Sequence, residues 1–196
     1  AELVSDPDRD IHFHNACLFG IHERGKEIPK LTRDLSKRLI YCVLYGGGAK
    51  KTGSIIAPQE SEHKQYERGK QTIDTFYQNL PAIKKLKDQV ESTLSKRDYL
   101  VGIDGRHLQI RSKHSALNQL LQSTGAITVK KATTILYDDM TDKGLKFFKD
   151  WGFVAHVHDE YQCLLRPEYT DLFQELAIDS FRKSGEYFNL KCPLTG

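Results

Sequence analysis

Arg33, Lys37, Tyr41 and Tyr45 recur every four residues in the segment LTRDLSKRLIYCVLYGGG, which ends in three consecutive glycines. The spacing predicts a helix over Leu31–Gly48, with the glycines as its stop. At about 100° per residue the four side chains stay within an arc of roughly 120° and form one stripe. With a rise of about 1.5 Å per residue the stripe is roughly 18 Å long, cationic in its first turns and aromatic in its last. A nucleoside triphosphate has the same polarity, because its phosphates call for cations and its base for a flat ring face. The plainer reading of the same pattern is a solvated amphipathic helix with both tyrosines in the core.

A second constellation lies in WGFVAHVHDEYQCLLR, Trp151–Arg166. Apolar residues alternate on either side of His158-Asp159-Glu160, which predicts a β-hairpin carrying the two acids at its tip. Burying a lone carboxylate costs several kcal/mol, so these acids face water, a base or a cation. His12 and His14, two residues apart, would share a face only on a strand, and a metal site there needs a third ligand from elsewhere. Cys17, Cys42, Cys163 and Cys192 form no CxxC pair and have no metal-site interval. They read as reduced, mostly buried thiols.

These residues must be positioned by a chain of 196 residues with 39% hydrophobic content, enough for one well-buried domain or a domain and a lobe. No run approaches the roughly 18 apolar residues of a membrane span, and the first residues are not those of a signal peptide, so a cytoplasmic location is expected. The formal charge is +3, but between Arg24 and Lys51 eight basic residues face only two acidic ones. Such concentration fits a polyanionic ligand better than a uniform coat would.

The remaining elements follow from local pattern. Asp6–Asp10 caps or precedes a short helix beginning near Asp10, and Thr32 is the candidate N-cap of the basic helix. KKTGSIIA reads as a short helix containing Gly53, and Pro58 opens a polar helix to about Gln78. Asn79-Leu80-Pro81 is a break with an N-cap and a proline in the first turn of a helix to about Ser95. The last two helices read as an antiparallel lobe around the basic helix. Asp104-Gly105 between short apolar runs predicts a hairpin turn. Ser112 starts a long helix to about Met140, in which Gly125 marks a close approach by a backbone or ligand, or a small helix-packing contact. A final helix covers about Glu168 to Lys183.

Taken together, the two constellations resemble motifs B and C of the family A DNA polymerases, most closely the replicative enzymes of T7-like phages. Thr32-Arg33-Asp34, Lys37, Tyr41 and Leu44-Tyr45-Gly46 match the fingers-helix motif, and His158-Asp159-Glu160 matches the palm hairpin. Between them, GIDGR at 102–106 and RSKHSALNQLLQS at 111–123 are similar to the link and long helix of the T7 type. Asp10-Ile11-His12 resembles the segment just before the fingers. The fold class implied is α+β, a mostly helical fingers lobe with a partial antiparallel palm sheet. Residues 1–24 would form the palm-to-fingers connection, 25–97 the fingers, and 98–196 a partial palm with the long helix and the motif C hairpin.

The resemblance implies template-directed transfer of a dNMP from a dNTP to a primer 3′-hydroxyl, with two Mg²⁺ ions. Arg33 and Lys37 would hold the β- and γ-phosphates, Lys37 also being placed to protonate the leaving pyrophosphate, and His12 would be a further phosphate contact. Tyr41 would stack by the incoming base and sugar. Tyr45 would stack near the template base, with Gly46 leaving room for the template strand. Asn118 and Gln122, one turn apart, would contact the primer-template minor groove, and Arg111 and His114 the primer side. Asp159 would bind metal, Glu160 would lie near the primer terminus and His158 would contact backbone or phosphate.

The family's second metal aspartate, on motif A, has no match here; Asp6, Asp8 and Asp10 lack the strand-like surroundings of that motif. The sequence therefore reads as a C-terminal polymerase piece, either an expression fragment or part of a split enzyme. Its expected partners are primer-template DNA, a dNTP and an upstream polymerase segment in trans, and it is expected to be inactive alone. The alternatives are a non-catalytic DNA-binding module and a fragment of a single-subunit RNA polymerase. The latter usually has His-Asp-Ser where this chain has His158-Asp159-Glu160. A histidine-carboxylate hydrolase lacks the spacing of a zinc site.

Overall fold

The computed structural model describes residues 10–157 and 160–194. They form two compact units, divided between Gln122 and Ser123. The first holds helices α1 (Ile11–Leu18), α2 (Lys30–Leu44), α3 (Ala49–Ile56), α4 (Glu62–Asn79) and α5 (Pro81–Leu94), then the antiparallel pair β1 (Tyr99–Val101) and β2 (His107–Gln109). It ends with the first turns of α6 (Ala116–Asp142). The second unit holds the rest of α6, the antiparallel pair β3 (Trp151–Val157) and β4 (Glu160–Leu165), and α7 (Thr170–Tyr187). This is a mostly helical α+β chain with two small antiparallel sheets.

The basic helix is placed by its apolar side. Leu39 and Val43 of α2 pack with Leu18 and Phe19 at the end of α1 and with Phe76 of α4, and Ile55, Ile73 and Ile83 close the cluster from α3, α4 and α5. The Phe19 and Phe76 rings stack with centroids 4.6 Å apart. Helices α3 and α4 cross at glycines: a Cβ on Gly53 would overlap the Gln65 carbonyl, and one on Gly69 the Ala49 carbonyl. Gly125 is different. A Cβ there would meet nothing within 4 Å among the described residues, so neither another backbone nor a helix-packing contact within them accounts for that glycine.

Helix starts depart from the sequence reading where side-chain caps were expected. Helix α2 begins at Lys30 with Pro29 as its N-cap, and Thr32 lies inside the first turn. The Pro29 carbonyl accepts from Arg33 N at 3.0 Å, which starts the ladder three residues ahead of a Thr32 cap. Helix α4 begins at Glu62, because Pro58 belongs to a preceding turn whose carbonyl, with that of Glu60, accepts from the Gln65 side chain. Helix α5 has Leu80 as its N-cap with no side-chain bond; Asn79 instead donates to the Leu18 carbonyl at 2.9 Å and ties α4 to α1. A 3-10 turn at Lys113–Ser115 precedes α6, and α7 extends to Tyr187.

In the second unit, Trp151, Leu136, Met140, Leu145 and Leu176 form the core, with Phe153 and Tyr161 against it. The opposite face of the hairpin leaves Val154 and Leu164 exposed. A register shift between Phe153 and Ala155 bulges β3, and the strands then pair through His156–Tyr161 and Val157–Glu160. Tyr161 Oη donates to the Val129 carbonyl at 3.1 Å, and Ser184 Oγ donates to the Thr128 carbonyl at 2.7 Å, fastening the hairpin and α7 to α6. The four cysteines are free. Only Cys42 is buried; Cys17, Cys163 and Cys192 are half-buried, so the expectation of mostly buried thiols holds for one of the four.

Candidate nucleotide and nucleic-acid site

The stripe on α2 forms as a surface. Arg33 and Lys37 are exposed, and Tyr41 and Tyr45 retain 49% and 48% of their accessible surface. The reading of both tyrosines as core residues is thereby excluded; the core side of the helix is Ser36, Leu39, Cys42 and Val43. The two tyrosine rings lie with centroids 5.7 Å apart, tilted by 44°.

Two of the three glycines end the helix through its own carbonyls, and the third, Gly48, is the N-cap of α3. Gly46 N donates to the Val43 carbonyl at 3.1 Å and Gly47 N to that of Cys42 at 2.7 Å, the paired bonds of a Schellman termination. Gly46 has φ +80°, a left-handed conformation that costs a side chain about 1–2 kcal/mol. A Cβ there would also overlap the backbone carbonyl of His114. The end of α2 thus sits directly against the turn that opens α6. One helical turn into α6 and beyond, Gln122 Nε2 donates to Tyr45 Oη at 3.0 Å. Asn118 shares that side of α6, and its Oδ1 is buried without a hydrogen-bond partner among the described residues. Arg111 is exposed in the segment between β2 and the 3-10 turn.

The other end of the stripe is set by α1. Asp10 is the N-cap of α1, its Oδ1 accepting from His12 N at 2.9 Å, while its Oδ2 accepts from Arg33 Nε at 2.8 Å. Ser36, fully buried, donates to the His12 carbonyl at 2.8 Å and so docks the first turn of α1 on α2. Burial pushes the Asp10 carboxyl up, but the Arg33 hydrogen bond, the His12 N–H and the nearby charges outweigh it, and the group lies below the ordinary carboxylate range. His12 Nδ1 is buried without a hydrogen-bond partner among the described residues. His12 and His14 fall in a helix, roughly 200° apart around it, so they do not share a face.

Asp10 was legible as a helix cap and as part of the Asp10-Ile11-His12 segment, not as a partner of Arg33. Its ionic partner lies 23 residues away, and the sole local signal is an acid ahead of a basic helix.

The structure therefore gathers His12 with Arg33, Tyr41 with Tyr45, Tyr45 with Gln122, and Gly46 with His114. His158 and Asp159 lie outside the described residues. Glu160 is exposed at the first position of β4, its Oε1 accepting from Gln162 Nε2 at 3.0 Å. Among the described residues no group of three His, Cys, Asp or Glu side chains could hold a metal ion. No helix among those residues is long and apolar enough to cross a membrane.

The helical unit with its basic-aromatic helix and the small antiparallel sheets are a polymerase fold, and the chain belongs to DNA polymerase family A, whose family model matches residues 2–195. It is closely related to the DNA polymerases of T7- and T3-like phages. It is 35% identical over 212 residues to the DNA-directed DNA polymerase of Enterobacteria phage T3 and 34% identical over 212 residues to that of Escherichia phage T7. Each match covers 99% of this chain and 29% of the relative, so the chain spans less than a third of the length of these enzymes. The fold is that of the POL domain of Pol1 from M. smegmatis, solved in complex with a DNA primer-template and dNTP, with a TM-score of 0.77 at 18% identity over 94% of this chain and 33% of that one.

Proposed function

We propose that this chain supplies the nucleotide-binding fingers helix and part of the palm of a template-directed DNA polymerase, which transfers a dNMP from a dNTP to a primer 3′-hydroxyl. The observation that carries the reading is the exposed α2 stripe, cationic at Arg33 and Lys37 and aromatic at Tyr41 and Tyr45, closed by Gly46 against the His114 turn. Arg33, Lys37 and His12 take the triphosphate, Lys37 being the proton donor to pyrophosphate. Tyr41 takes the incoming base and sugar, and Tyr45 and Gly46 the template side. Arg111, His114, Asn118, Gln122, His158 and Glu160 contact the primer-template.

Family A chemistry is phosphoryl transfer assisted by two divalent ions, for which Asp159 is the one motif aspartate assigned in this chain. The 196-residue chain is therefore inactive by itself and acts with a polymerase segment that carries the second aspartate. Residues 25–97 serve as fingers in this reading, 98–196 as partial palm, and 1–24 as the connection between them.

Single-nucleotide primer extension with Mg²⁺ tests it, with this chain alone and with the motif A segment of a T7-type polymerase added as a separate polypeptide. Extension only in the second case is the expected result. Extension at an ordinary rate by the chain alone overturns the assignment of the metal site. Salt-sensitive DNA binding that never responds to a matching dNTP overturns the catalytic reading in favour of a binding module.

A further inference from the structure

We infer that Asp10 is a positioning residue for the triphosphate: one carboxylate holds the Arg33 guanidinium and the first turn of α1, so that Arg33 and His12 are presented to the same phosphates in a fixed relation. The inference rests on the proposed role of Arg33 and His12 as phosphate contacts.

The two oxygens of Asp10 do different work. Oδ1 accepts from His12 N at 2.9 Å, which orients the start of α1, and Oδ2 accepts from Arg33 Nε at 2.8 Å. The bond that Asp10 Oδ2 accepts comes from Nε, on the inner edge of the guanidinium. The terminal nitrogens of a guanidinium are the pair that meets a phosphate side-on. Ser36 completes the frame by joining the His12 carbonyl to α2 at 2.8 Å.

Stability is a weak reason for this arrangement. The Arg33 and Asp10 side chains are 45% and 33% exposed, and an ion pair in that setting contributes about 0–1 kcal/mol. Capping alone is also insufficient, because asparagine or serine would cap α1 as well as aspartate does. What the carboxylate adds is a direction for a long, otherwise mobile guanidinium, whose immobilisation is then complete before a ligand arrives.

The sign of one substitution separates positioning from bulk charge. Removing a negative charge beside a phosphate site should tighten anion binding if only net charge matters. Loss of positioning should weaken it.

The test is equilibrium dialysis of dATP and dAMP against the full 196-residue chain at low salt, for the wild type, D10N, R33A and the D10N/R33A double variant. D10S, which also preserves a capping side chain, repeats the comparison. The expected result is that D10N and D10S bind dATP about five- to tenfold more weakly with dAMP binding and helicity unchanged, and that D10N adds nothing in the R33A background. Wild-type or tighter dATP binding by D10N, or a loss that is fully additive with R33A, overturns the inference while leaving the role of Arg33 intact. Wild-type dATP binding by R33A, or no saturable binding by the wild type, instead overturns the phosphate-site reading itself and the inference with it.

Discussion

Tyr45 and Gln122, 77 residues apart, are joined by a hydrogen bond of 3.0 Å in which the amide donates to the phenol oxygen. The aromatic end of the α2 stripe is thereby registered against α6. The bond is exposed to solvent, so its net contribution is small, about 0.5–1.5 kcal/mol at most. A double-mutant cycle of Tyr45→Phe and Gln122→Ala, followed by urea unfolding, should return a coupling energy in that range. A coupling near zero would mean that the two groups do not hold each other in solution.

Gly46 should tolerate no side chain. Gly46→Ala meets both the left-handed backbone at φ +80° and the His114 carbonyl, whereas Gly25→Ala, at φ +83° with nothing within 4 Å, meets the backbone cost alone. We expect Gly25→Ala to lower unfolding free energy by about 1–2 kcal/mol and Gly46→Ala to lower it by clearly more. Equal losses in chemical denaturation would show that the α2 end does not abut the α6 turn.

The two sides of α2 should respond unequally to truncation. Leu39 is fully buried, so Leu39→Ala is expected to cost about 2–5 kcal/mol. Tyr41→Ala, on a side chain 49% exposed, should cost less than about 1 kcal/mol. A large loss at Tyr41 would return the tyrosines to the core.

Acid should release Asp10. Its folded-state pKa lies below the ordinary 3.8, so its contribution to stability is fully present above 3.8 and is lost as pH falls through the lower folded value. Urea unfolding of wild type and D10N should therefore differ at neutral pH and converge as the solution is acidified below 3.8. A difference that persists unchanged in acid would show that the carboxylate is not ionically engaged.

Lys37→Ala should weaken the stabilisation of a primer-template complex by the next correct dNTP more than it weakens duplex binding itself, measured by gel shift with and without the nucleotide in the reassembled enzyme. Equal losses in both would favour a plain DNA-binding role.

Much of the fold was legible because helices are written in local periodicity. The four-residue recurrence from Arg33 to Tyr45, the glycine stop, the break at Pro81 and the hairpin turn at Gly105 each depend on residues within a few positions, and each element stands where that pattern put it. Errors fell where a local signal had a tertiary competitor. Thr32 lost its capping role to a start at Pro29, and Asn79 was drawn to the Leu18 carbonyl of another helix.

By itself the sequence determined the cationic and aromatic ends of the α2 stripe and, through motifs B and C, the polymerase family. Only the tertiary structure decided that Asp10 holds Arg33, that Gly46 abuts His114 and that Gln122 reaches Tyr45. The physical reason is that periodicity specifies which face a residue occupies, whereas partners across 23 to 77 residues are chosen by how separately formed helices pack their apolar sides.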